Sequence, residues 1–193
     1  MKPSKNKFLL GAAILGLAVM AGSAMADDDV DITATIETDS GITAAVVDSI
    51  DFGSYLIGVD ALSGDQVTIT IDTLGALTSN ATGTAQVIDL TGTATGTPGQ
   101  ATVDLPSGAD GIELQMTRDV ITQFVDTNIT LDDITYRTAT EAEDPVLEAT
   151  PVIVTVVAGG TPEPVFFGGT ITADATPADN AAHTATFNVN FGY

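Results

Sequence analysis

An all-β fold follows from three features of the 193-residue sequence. Short runs alternate apolar and polar residues, and clusters of Gly, Asp, Asn and Pro separate them. No stretch carries the 3.6-residue period of a helix. With 44% hydrophobic and 16% charged residues the chain has the material for a buried core. Its length suits one domain.

The first 26 residues are read apart from that fold. Lys2, Lys5 and Lys7 precede an apolar run from Phe8 to about Ala21, and Ala24-Met25-Ala26 closes the segment. A basic region, a hydrophobic region and a small-residue box in this order predict a signal peptide, 1–26, cleaved after Ala26. The competing reading is an uncleaved anchor, since Phe8 to Ala26 approaches the length of a bilayer span. Asp27-Asp28-Asp29 directly behind the A-x-A box favours cleavage. The domain is then 27–193, exported to the periplasm, the cell surface or the medium.

Val30-Asp31-Ile32-Thr33-Ala34-Thr35-Ile36 alternates as one face of a half-buried strand should. Gln66 to Ile71 repeats the period, with Val67, Ile69 and Ile71 on one side. Further strands are expected at Thr84 to Leu90, Gln100 to Leu105, Gly111 to Thr117 and Asn128 to Tyr136. Val152 to Val157 is nearly all apolar and reads as a strand covered on both faces. Val165 to Ala173 and Ala182 to Tyr193 complete the set. Turn chemistry fills the gaps, as in Asp60 to Asp65, Pro106-Ser107-Gly108, Gly159-Gly160-Thr161-Pro162 and Ala175 to Asn180. Ala139 to Glu148 reads as an acidic exposed loop. Eight to ten short strands without helices make a β-sandwich or a barrel.

Threonine suits the wet face of such strands, being stiff at χ1 yet hydrated. Val and Ile then point inward, and acids gather at strand ends and loops, at positions such as Asp60, Asp65, Asp72, Asp104 and Asp110.

Charge narrows the partners. Cleavage removes all three lysines and leaves Arg118 and Arg137 against 26 acids, an excess of 24 negative charges. That argues against nucleic acid and anionic lipid, both of which require Lys or Arg. The absence of cysteine excludes a disulfide framework, a thiolate metal site and a cysteine nucleophile.

A succession of motifs carries a family resemblance. Ser49-Ile50-Asp51-Phe52-Gly53 follows the first strand, and Thr91-Gly92-Thr93-Ala94-Thr95-Gly96-Thr97-Pro98-Gly99-Gln100 runs into Val103-Asp104-Leu105-Pro106. Phe167-Gly168-Gly169-Thr170-Ile171-Thr172 and Thr186-Phe187-Asn188-Val189-Asn190-Phe191-Gly192-Tyr193 close the chain. This order, across Val30 to Tyr193, resembles a family of small secreted bacterial proteins classified as a domain of unknown function. In outline that family is similar to spore coat protein U and chaperone–usher pilin domains. The resemblance implies a single-domain, antiparallel immunoglobulin-like β-sandwich at the cell surface, with no catalytic residues to carry over. Two departures concern the pilin version. Tyr193 is the last residue rather than one from the end, and a cysteine-free chain lacks the disulfide many pilins carry.

The leading site candidate is the first strand. Val30, Ile32, Ala34 and Ile36 form an apolar stripe behind a flexible Asp27-Asp28-Asp29 start, a segment able to complete a neighbour's sheet. Pairing within its own domain is the simpler reading. Partners are accordingly this same chain or another surface protein, met through edge strands. Phe187, Val189, Phe191 and Tyr193 also resemble the closing strand of an outer-membrane barrel. Such a barrel needs two aromatic girdles, and cleavage leaves six Phe, three Tyr and no Trp, so stable membrane insertion is not expected.

No metal site or cofactor is predicted. Asp27-Asp28-Asp29, Asp132-Asp133 and Glu141 to Asp144 could supply hard oxygens, but none matches a calcium-loop spacing, and solvated charge is the better reading. His183 is the one imidazole, expected at the surface or a strand end, and no G-x-S-x-G elbow accompanies it. Arg118 and Arg137 are expected to pair with nearby acids. The chain therefore reads as a structural or interaction protein rather than an enzyme. Self-repulsion of its acids strains the compact state, and salt screens it. The melting temperature of residues 27–193 should rise from low to high ionic strength; a flat or falling trend in a calorimetric salt series contradicts this.

Overall fold

The computed structural model describes residues 26–38, 41–90, 92, 96–146, 148–177 and 182–193. The leader assigned to 1–26 lies outside them except for Ala26. Among the described residues there are thirteen strands and no helix. They are β1 (Ala26–Thr38), β2 (Thr43–Asp48), β3 (Ile50–Gly58), β4 (Val67–Ile71), β5 (Leu77–Ala81), β6 (Gln86–Asp89) and β7 (Gly99–Asp104). Then follow β8 (Ile112–Arg118), β9 (Ile129–Thr138), β10 (Asp144–Pro145), β11 (Val152–Val156), β12 (Glu163–Ala173) and β13 (Ala182–Gly192).

Two sheets pack face to face. One runs β11-β8-β13-β1-β3-β6. The other runs β10-β9-β12-β4-β5, with β7 also on β12 and β2 beyond it. β12 changes partner along its length: Glu163 to Phe167 pair with β7, and Gly169 to Ala173 pair with β4. Gly168 marks the change, because a Cβ there would run into the Ile71 carbonyl and the Thr135 hydroxyl. The antiparallel expectation holds for every ladder between named strands except β1–β13, which is parallel.

The inward rows are those of the sequence pattern. Val67, Ile69 and Ile71 are buried on β4 and Val165, Phe167 and Ile171 on β12. Facing them are Leu114 and Met116 on β8 and Phe187, Val189 and Phe191 on β13. The Phe167 and Phe187 rings meet edge to face at 5.8 Å, within the favourable range for aromatic pairs. Outside, the register partners Thr70 and Thr170 bring their hydroxyls to 3.0 Å.

Two bulges switch the inward parity. On β3, Phe52 and Gly53 together stand opposite Val30, so the buried row passes from Ile50 and Phe52 to Tyr55 and Ile57. Gly53 takes a positive φ of 78°, and its N–H donates to Asp51 Oδ1 at 2.7 Å. On β9 the register shift turns both Asp132 and Asp133 outward between buried Leu131 and Ile134.

Several expectations need correction. The strand total exceeds eight to ten because four strands were not expected: β3, whose alternation its bulge interrupts, and β2, β5 and β10, which lack a periodic signal, β2 being mostly exposed, β5 having one buried residue and β10 being two residues long. Val152 to Val157 is not covered on both faces. As edge strand β11 it buries Val154 and Val156 and leaves Ile153 and Val157 exposed. An unbroken apolar run does not by itself distinguish an edge from a centre. The loop 139–148 is exposed for much of its length, yet it buries Val146 and an oxygen of Glu141.

Acids at the turns accept backbone N–H groups. Asp72 Oδ1 receives Leu74 and Ala76 at 2.9 and 2.8 Å. Asp65 Oδ2 receives the Thr84 N–H and hydroxyl, both at 2.8 Å, which holds its carboxyl below the ordinary value. Asp104 and Asp110 hold the amides of Gly160 and Gly159 at 2.9 and 3.0 Å. Gly168→Ala should cost about 1–3 kcal/mol, the usual penalty for overpacking. A urea midpoint equal to wild type would show that the β7-to-β4 exchange tolerates a side chain.

Candidate functional site

The stripe singled out in the first strand lies at the centre of a sheet. β1 runs parallel to β13 and antiparallel to β3, so both of its edges are occupied. Its apolar positions match those of the last strand: Val30 stands beside His183, Ile32 beside Ala185, Ala34 beside Phe187 and Ile36 beside Val189. Ile32 is fully buried, and Ala34 and Ile36 pack half-buried against the core. The Val30 side chain lies outside the described residues. Asp27, Asp28 and Asp29, expected as a flexible start, are backbone-paired with Leu56, Tyr55 and Ser54. Pairing uses main-chain groups, so three acidic side chains do not prevent it.

The seam therefore joins β11-β8-β13 on one side to β3-β6 on the other. In chain order β1 is followed by β2, which lies in the opposite sheet. Beneath the seam Tyr55 is buried, and burial first, then Asp89 and Asp51, push its hydroxyl up to about 12. It stays protonated throughout the physiological range.

His183 is correctly placed at a strand end but not at the surface: it is 7% exposed beside Val30. Arg118 is likewise buried. Its guanidinium donates to the carbonyls of Val146 at 3.1 Å and Asp119 at 3.0 Å. Burial pulls it below its ordinary value, while Glu148 and Asp133 oppose that fall. Arg137 lies 4.7 Å over the Phe166 ring and donates to Thr73, whose N–H and hydroxyl donate to Glu143 at 3.1 and 2.7 Å. Both arginines are thus engaged with main-chain carbonyls.

A groove of about 400 Å³ opens beside Arg118, walled by Val120 and Ile121 and rimmed by Asp132 and Glu148. Gln123 spans its floor, with its amide paired to Leu131 N–H and C=O at 2.8 and 2.9 Å. Among the described residues no three acidic or histidine side chains converge on a metal position.

Sequence reasoning missed the opposite end of the core, where Glu163 is 9% exposed and its Oε1 has no hydrogen-bond partner. Parity carried the signal, since Glu163 precedes Val165 and Phe167 on the inward row. The same rule places Arg118 behind Leu114 and Met116.

No protein-family model matches this chain, and no curated protein matches it either. The seam yields a graded outcome for truncation of its apolar stripe. Ile32→Ala should cost about 2–5 kcal/mol, and Ile36→Ala less, because only Ile32 is fully enclosed. Equal denaturation midpoints for the two variants would contradict this placement of the strand.

Proposed function

We propose that this chain is an exported bacterial structural or interaction protein without a catalytic role, built on an immunoglobulin-like sandwich and acting at the cell surface, in the periplasm or in the medium. The observation that carries the reading is the use made of its polar groups. Asp60, Asp65, Asp72, Asp104 and Asp110 accept backbone N–H groups at turns, and both arginines donate to main-chain carbonyls. The chemistry-bearing side chains hold the scaffold together. Partners are this same chain or another surface protein, met through edges such as β6 and β11, where Ile88 and Ile153 are exposed. Burial of Phe187, Val189 and Phe191 between the sheets favours the sandwich over an outer-membrane barrel.

A second reading, a pilin-like subunit polymerising by strand donation, is favoured by β1. A strand that fills a matched slot between two neighbours is interchangeable with the same strand of a second copy.

A crosslink separates the two. Thr33 and Thr186 are register partners on the outer side, and adjacent strands meet the geometry of a disulfide. The double variant Thr33→Cys, Thr186→Cys, expressed without residues 1–26, should give the same monodisperse particles in electron micrographs whether oxidised or reduced. Fibres that form only in the reduced protein would replace the first reading with the second.

A further inference from the structure

Arg118 closes β8 on the inward row and is 7% exposed. The sequence predicts an acidic partner for it. Among the described residues its guanidinium instead meets main-chain carbonyls alone, Nε donating to Val146 and Nη1 to Asp119. Nη2 makes no hydrogen bond among them. A guanidinium carries five N–H donors and no acceptor, so this buried cation is only partly satisfied.

The residue lines the groove of about 400 Å³, a volume within the range of about 300–1,000 Å³ usual for small-molecule sites. Val120, Ile121 and Leu131 give it an aliphatic wall, and Val120 is 67% exposed. Gln123 is committed to the Leu131 main chain and has no role toward a ligand. The carboxylates of Asp132 and Glu148 complete the lining, with Asp132 Oδ1 accepting the Thr130 hydroxyl at 3.0 Å. The β9 bulge is what turns Asp132 outward to this position.

The Glu148 side of the groove is clamped to Arg118 twice. The Ala149 N–H donates to the Arg118 carbonyl at 2.9 Å, and Arg118 Nε donates to the Val146 carbonyl at 3.1 Å. Between them Ala149 takes a φ of 51°, the one positive value at a non-glycine among the described residues. An alanine in the left-handed region is strained, and such strain persists where the surroundings impose it. Glu148 is thereby set at the groove on a fixed backbone.

The charges select the ligand. Phosphate or a plain carboxylate would meet Arg118 but also two acids, and a plain cation would meet the acids but also Arg118. A zwitterion suits both. Burial lowers the guanidinium from its ordinary value while Glu148 and Asp133 oppose the fall, and an arginine stays charged regardless. We propose that this groove binds an aliphatic α-amino acid or a short peptide with free ends, its carboxylate on Arg118, its ammonium on Asp132 and Glu148, and its side chain against Val120, Ile121 and Leu131.

Titration of residues 27–193 with leucine and with leucyl-leucine, followed by heteronuclear NMR and calorimetry, tests this. Amides of residues 118–123 and 131–132 should shift saturably. N-acetyl-leucine lacks the ammonium and leucine amide lacks the carboxylate, so each should bind about tenfold more weakly or worse, having lost a charge-assisted hydrogen bond. Asp132 and Glu148 are exposed, so the double variant Asp132→Asn, Glu148→Gln should keep the fold. It should weaken both zwitterions by about tenfold and leave N-acetyl-leucine no weaker. Tighter binding of leucyl-leucine assigns the groove to peptides, and tighter binding of leucine assigns it to free amino acids. No saturable shift with either zwitterion up to about 10 mM overturns the proposal, as does equal affinity for N-acetyl-leucine or unchanged affinity in the double variant. Inorganic phosphate binding more tightly than both zwitterions would overturn it too, and make the groove a simple anion site.

Discussion

The architecture depends on main-chain pairing by the first strand. β1 lies between β13 and β3, and the sheet path passes from one half of its sheet to the other through it. Its apolar positions meet Ala185, Phe187 and Val189 of the last strand in parallel register, so the beginning and end of the chain close the fold on each other. Ile32 then reaches the interior shared with the opposite sheet. Such pairing joins residues about as distant in sequence as the chain allows, and non-local contacts of this kind form late and slowly. A strand paired on both edges is held within the sheet along its length.

Around this frame the acids fall into two environments. At turns they are exposed or half-exposed and bonded to main-chain N–H groups, where ionisation helps; Asp65 is held low for this reason. At the end of the core they are partly buried and crowded, where ionisation is resisted; Glu141 is raised by burial first and then by neighbouring acids, against a Thr138 hydrogen bond. Composition records only a large negative excess. Structure separates charge that builds turns from charge that strains the core.

Much of the fold was legible in residue order. Period-two alternation located β4, β7, β8, β12 and β13, because each buries one face against the opposite sheet. What alternation could not reveal was its own interruptions. The bulges at Gly53 and Asp132 each shift the inward row by one residue, and a strand such as β2 with little burial has no row to find. Strand direction was hidden as well: Val30, Ile32, Ala34 and Ile36 read as a pairing stripe, but nothing in them specifies a parallel partner. Glu163 and Arg118 fell just outside the strands expected at Val165 to Ala173 and Gly111 to Thr117, so the inward rows were not extended to them.

The central claim, that β1 closes its own sheet from within, is tested most directly by hydrogen exchange at the amides of residues 30–36 in isolated residues 27–193 at low concentration. These amides should exchange as slowly as those of β13 and β4, through global unfolding alone. Exchange at the rate of exposed loops, with β13 and β4 still protected, would show that the strand is not part of the monomer's sheet and contradict the account.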